Sequence, residues 1–234
     1  MLSDLKKDIH RLANPAKAKI LSRFFKTGPG EYGEGDIFLG LMVPQSRTIS
    51  RKYKDLPLSD IQLLLNSKIH EERTIALAIL VNRFAKSGVQ DRKNIYGFYL
   101  ANTKNINNWD LVDISAPNIV GEYLLDKPLN ILFKLAKSKS LWERRIAILS
   151  TFAFIYKGDP KPTLKIAEML LHDKEDLIHK AVGWLLREVG KRCSQKVLTN
   201  FLDSHLGLLP RTTLRYAIER FPPKLRLKYL KSKS

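Results

Sequence analysis

The 234-residue chain is predicted to be all-α, an α-solenoid of stacked helical pairs. Three observations carry this. Apolar residues recur at three- and four-residue spacing in segment after segment, which is the helical period. Runs that alternate apolar and polar residues, the mark of a half-buried strand, are nearly absent. A short helical pattern also leads repeatedly into a longer one. With 44% hydrophobic residues the chain is long enough to bury a sizeable core, and no stretch reads as a linker, so residues 1–234 are expected to form one domain.

The elements follow in order. MLSDLKKDIHRLANPAK carries no uninterrupted apolar run of signal-peptide type, and no window approaches a membrane span, so a soluble cytoplasmic protein is expected. TGPGEYGEG (27–35) is the longest polar gap and reads as a mobile or ligand-contacting loop. ERTIALAILVNRFAKSG (72–88), LWERRIAILSTFAFIYKG (141–158), HKAVGWLLREVGKR (179–192) and RTTLRYAIERF (211–221) are the clearest helices. KGDPKP (157–162) and FPP (221–223) are breaks, because Gly and Pro interrupt or end helices.

The helices repeat as pairs: IQLLLNSKIHEERTIALAIL, ILFKLAKSKSLWERRIAIL, IAEMLLHDKEDLIHKAVGWLL and NFLDSHLGLLPRTTLRYAI. Laying Arg73 on Arg144 and Arg144 on His179 gives separations of 71 and 35 residues, so the first gap spans two modules. A pair of helices cannot bury its apolar face alone, and stacking would produce one continuous core with a concave surface.

Charge narrows the partner. Lys plus Arg number 41 against 23 Asp plus Glu, a net charge of +18, which raises the local concentration of polyanions. Nucleic acid is the expected partner, since phosphate contact supplies most non-specific affinity for it. From Pro210 onward eight basic residues face one acid, a local +7. There Arg211 and Arg215 would share one helix face, and the KLRLKYLKSKS tail, Lys233 included, would grip backbone phosphate without reading sequence.

Common catalytic patterns are missing: the Walker-type phosphate loop, HExxH and GxSxG. The five histidines show no compact ligand spacing and Cys193 is alone, so no metal, cofactor or intramolecular disulfide is expected. His179 reads as a surface or junction residue.

The residues left to consider are few. In NNWDLVD (107–113) Trp109 and Asp113 stand four apart, on one helix face, with Asp110 able to point to solvent. They could be a surface pair, a packing pair or the floor of a site. Arg144 and Arg145 point in different directions around their helix, one to a partner helix and the other to the groove, and arginine's planar fork suits phosphate. Trp184, followed by Arg187, would either pack in the core or stack on a sugar or base.

At this point the chain resembles the AlkD-type DNA alkylation repair enzymes, DNA glycosylases built of HEAT-like helical repeats. The resemblance runs through YGEGDIFLGLMVPQSR, NNWDLVDISAPNIVGEYL, SKSLWERRIAIL, KEDLIHKAVGWLLREVGKR and LPRTTLRYAIERFP, in that order. It implies a concave basic groove and removal of N3- and N7-alkylated purines from duplex DNA without metal, cofactor, lyase step or base flipping. It also implies action as a monomer. The family motifs fall on Trp109, Asp113, Arg145 and Trp184 as active-site residues. Tyr32 matches a third groove aromatic, while Arg144, Arg187, Arg211 and Arg215 would contact DNA. In this picture Asp113 stabilises the oxocarbenium-like sugar and activates water, Arg145 holds a phosphate and favours the carboxylate, and the two indoles face the cationic nucleotide. A non-catalytic DNA-binding protein and a protein-binding helical scaffold fit the same composition, and a phosphodiesterase fits less well because no acid cluster suggests two metals.

Overall fold

The computed structural model describes residues 1–231, so Lys233 of the basic tail lies outside the described residues. No strand occurs among them; a lone parallel bridge joins Ile37 to Ile69. The chain divides into two compact units, Met1–Ser115 and Ala116–Ser234.

The first unit runs through α1 (Leu2–Arg11), α2 (Pro15–Phe24), α3 (Val43–Lys52), α4 (Leu58–Leu65), α5 (His70–Lys86), α6 (Val89–Ala101) and α7 (Trp109–Ala116). In α5, Glu71 and Glu72 occupy the first turn and Arg83 and Lys86 the last, which matches the helix dipole at both ends. Its core residues Ile75, Ile79 and Leu80 are fully buried, as the apolar period requires. By contrast α2 buries no residue, although Asn14 caps its N-terminus by accepting from Lys17 N–H at 3.0 Å.

The polar gap between α2 and α3 is a chain of turns tied to itself and to α5. Gly33 N–H donates to the Lys26 carbonyl, and Gly28 and Gly30 N–H groups donate to the carboxylates of Glu31 and Glu34. Farther along, the Glu71 carboxylate accepts from the amides of Leu39, Gly40 and Leu41 at 2.8–3.2 Å. Gly40 has φ +89°, and a Cβ there would lie 2.3 Å from the Asn14 carbonyl oxygen, so only glycine lets this segment close on α2.

The second unit begins with a π turn at Pro117–Gly121, where a proline without an N–H cannot continue the α-helical ladder. It continues through α8 (Glu122–Leu124), α9 (Asn130–Ala136), α10 (Leu141–Ser150), α11 (Phe152–Tyr156), α12 (Lys161–Met169), α13 (Asp176–Arg192), α14 (Gln195–His205), α15 (Arg211–Ala217) and α16 (Pro223–Lys231). The single helix expected over 141–158 is two. Ser150 and Thr151 hydroxyls bond back to the carbonyls of Ile146 and Ile148 at 2.6 and 2.7 Å, which competes with the helical ladder and breaks it. The basic tail is helical as α16, held by buried Tyr229, whose hydroxyl donates to Asp203 at 2.7 Å.

The paired repeat has a shared joint. Arg73, Arg144 and His179 each occupy the fourth position of the longer helix of their pair. Each donates to the carbonyl six residues back, Ser67, Ser138 and Asp173, at 2.8, 3.0 and 2.6 Å. Those carbonyls stand in the turn between the two helices, where backbone acceptors lack helical partners. The overlay of Arg73, Arg144 and His179 therefore reflects one physical task, and His179 is a junction residue.

Candidate functional site

In the first unit a cavity of about 430 Å³ opens between α2, α3, α5 and α7. Most of its wall is apolar: Leu21 and Phe24 from α2, then Phe25, Phe38, Leu41 and Met42, with Val43 from α3 and Ile114 from α7. The polar contributors are Ser46, Arg47, His70, Glu71, Thr74, Asp110 and Asp113. An apolar hollow with a few convergent polar groups is the usual form of a small-ligand site.

Helix α7 supplies the wall that holds Trp109 and Asp113. Asn108, fully buried, accepts from Trp109 N–H at 2.8 Å and so fixes the helix start. Trp109 and Asp113, one turn apart, both line the cavity. Trp109 is half-buried; its ring stacks on Phe25 at 5.1 Å and meets the edge of Phe24 at 5.9 Å. An indole face beside a carboxylate can receive a flat cationic group and stabilise positive charge that develops next to it.

Asp110 does not point to solvent as its sequence position suggested. Its Oδ2 lies 2.8 Å from His70 Nε2, and the opposite ring nitrogen lies 3.0 Å from Asp36 Oδ2. Arg73 completes the buried group with a 2.7 Å bond to Asp36 Oδ1. Burial works against both charges. The bonds from His70 and the Arg73 guanidinium nevertheless hold the Asp36 carboxyl below the usual range, and the two carboxylates raise the His70 imidazole to about 9. Tyr32 lies half-buried on the turn chain of the same unit.

The second unit holds the remaining expected residues. Arg144 bridges to Asp173 at 2.5 Å while donating to the Ser138 and Lys139 carbonyls. Arg145 is buried and donates to the Leu177 carbonyl at 2.6 Å. Trp184, on α13, is half-buried and packs edge-on against Phe152 at 5.6 Å. Gly183 beside it allows α15 to approach so closely that a Cβ would lie 2.6 Å from the Thr213 carbonyl oxygen. Arg187 pairs with Glu219 and lies 3.6 Å from Glu188. Arg211 and Arg215 are exposed on α15, and Arg211 donates to the Leu230 carbonyl of α16 at 3.0 Å.

Sequence reasoning missed Phe24, Phe25, Phe38, Arg47 and His70. The one local signal was the FF pair just before the Gly-rich break; nothing local joins His70 to Asp36 and Asp110. Among the described residues no helix is long and apolar enough to cross a membrane.

Residues 5–221 match the family of DNA alkylation repair enzymes. The chain belongs to that family. The match spans both units, and it places this member of the family among DNA repair proteins. A solved structure described as a predicted DNA alkylation repair enzyme from Enterococcus faecalis shares the fold, with a TM-score of 0.69 over 90% of this chain and 97% of that one, at 16% identity. Among curated proteins no match was found.

Proposed function

We propose that this DNA alkylation repair family member is a monofunctional DNA glycosylase that hydrolyses the N-glycosidic bond of N3- and N7-alkylated purines in duplex DNA. The observation that carries the reading is the pairing of Trp109 with Asp113 on one face of α7, both lining the apolar cavity. A +18 chain supplies the affinity for the phosphate backbone.

The chemistry asks little of an acid. An alkylated purine already carries positive charge, so the C1′–N bond breaks with its electron pair passing to the base, which leaves neutral. Positive charge then appears on the deoxyribose. The Asp113 carboxylate stabilises it and takes the proton from the water that adds to C1′. Trp109 presents its face to the cationic nucleotide, an attraction of roughly 0.5–2 kcal/mol. The roles that the motif resemblance gives to Trp184 and Arg145, to the DNA contacts Tyr32, Arg144, Arg187, Arg211 and Arg215, and to a single monomeric HEAT-like domain, belong to the same proposal. So does hydrolysis without base flipping.

Methylated duplex DNA incubated with the protein in EDTA should release 3-methyladenine or 7-methylguanine, read by chromatography of the free bases. Salt-sensitive duplex binding with no released base would instead favour a non-catalytic DNA-binding role.

A further inference from the structure

His70 opens α5 with only 2% of its surface exposed, and it is the hub of the wall that carries Trp109. Both its ring nitrogens face carboxylates, Asp36 at 3.0 Å and Asp110 at 2.8 Å. A neutral imidazole donates from one nitrogen only, so two carboxylate partners select the doubly protonated ring. Phe38 stacks on that ring at 4.5 Å and Phe25 lies against it at 5.0 Å. Phe25 in turn carries the Trp109 indole. The other oxygen of Asp110, Oδ1, is buried with no hydrogen-bond partner, so the His70 proton is what compensates this carboxylate. Asp110 sits in the first turn of α7, next to Trp109 and one turn before Asp113.

We infer that His70 is the positioning residue of the α7 wall: as a buried imidazolium it ties the first turn of α7 to α5 and so fixes how Trp109 and Asp113 meet a ligand in the cavity. This rests on α7 being the catalytic wall of the proposed glycosylase. His70 is not a catalytic residue in this role, since it acts through Asp110 and Phe25.

The charged groups around the ring come from three elements. Asp36 approaches from the turn segment and Asp110 from α7, with Asp113 one turn farther on; Arg73 of α5 places Nη2 3.5 Å from Nδ1. Glu71, next to His70, is committed to the amides of Leu39, Gly40 and Leu41. Burial and Arg73 oppose the ring's charge, and the bonds to Asp110 and Asp36 outweigh them. The imidazolium therefore persists through neutral pH and is lost only near 9.

The test uses the whole 234-residue chain and has one arm that needs no substrate. Nitrogen NMR of the imidazole should show His70 doubly protonated at neutral pH. In His70→Gln, whose neutral amide has one nitrogen where the ring has two, the indole N–H resonance of Trp109 should move while those of Trp142 and Trp184 stay. In single-turnover assays on methylated duplex, His70→Gln should lose about tenfold or more in release rate, because misplacement on the order of an ångström costs up to about a hundredfold. Its duplex binding should fall less than its release rate. Asp36→Asn lies outside the cavity wall; it should lower the pH at which the imidazolium disappears and shift the alkaline fall in release rate with it, whether or not His70→Gln folds. A neutral His70 at neutral pH would overturn the inference, and so would a folded His70→Gln with parental Trp109 resonance and rate. If the parent protein releases no methylated purine, the glycosylase reading fails, and the NMR arm still decides whether His70 positions the α7 wall.

Discussion

Phe25 and Trp109 stack with ring centroids 5.1 Å apart and planes 16° from parallel. The stack holds one indole face inside the first unit and makes Phe25 a support for the residue proposed to meet ligand. Phe25→Leu keeps an apolar side chain and removes the ring contact, a loss of about 0.5–1.5 kcal/mol. Near-ultraviolet circular dichroism should weaken, and methylpurine release should slow more than duplex binding. An unchanged release rate would show that the stack does not orient the indole.

Asp113→Asn preserves shape and removes charge. In the proposed reaction its interaction with a cationic transition state is made mainly during bond breaking, so single-turnover excision should fall by a hundredfold or more, about 3 kcal/mol. Duplex affinity should hold or rise slightly, because the variant removes a negative charge that phosphate would repel. Parental excision of 7-methylguanine by this variant would remove the catalytic assignment.

Arg144 and Arg145 will not respond alike. Arg145→Ala removes a buried guanidinium and its bond to the Leu177 carbonyl, a cost of about 1–3 kcal/mol that urea unfolding should register. Arg144→Ala removes the donor to two turn carbonyls and leaves the Asp173 carboxylate, itself buried, without its guanidinium, so it too should lower stability. DNA affinity must be compared only after stability is measured for each. A DNA defect in a variant of unchanged stability would assign that arginine to phosphate contact.

Gly183→Ala should be more harmful than most Gly→Ala changes in a helix, which ordinarily gain stability. Its Cβ would sit 2.5 Å from the Tyr216 Cβ and 2.6 Å from the Thr213 carbonyl oxygen, forcing α13 and α15 apart. Overpacking of this kind costs about 1–3 kcal/mol. A lower urea midpoint with an unchanged slope is the expected outcome.

Stability should depend on pH from both sides of the buried group. The His70 pKa is raised, so its contribution is complete below the ordinary value of 6.5 and disappears as pH rises through about 9. The Asp36 pKa is lowered, so its contribution is complete above the ordinary 3.8 and disappears as pH falls through the depressed value. Denaturant midpoints should therefore plateau in between and fall on either side. His70→Gln should flatten the alkaline limb and leave much of the acid limb.

The sequence by itself determined the helices, their pairing and the shared face of Trp109 and Asp113. Helical periodicity is local, so three- and four-residue spacing is enough to place side chains on a face, and the same joint recurs at Arg73, Arg144 and His179 because each longer helix starts against the same kind of turn. Even there, local competition hid in side chains: Ser150 and Thr151 split a helix whose apolar pattern runs through unbroken. Only the tertiary structure decided what surrounds the α7 wall. Asp36, His70 and Asp110 meet across gaps of 34 and 40 residues, and Phe25 reaches Trp109 from another element altogether. A buried imidazolium between two carboxylates is stable only where folding excludes water and brings all three groups within hydrogen-bond reach, and no pattern along the chain encodes that distance.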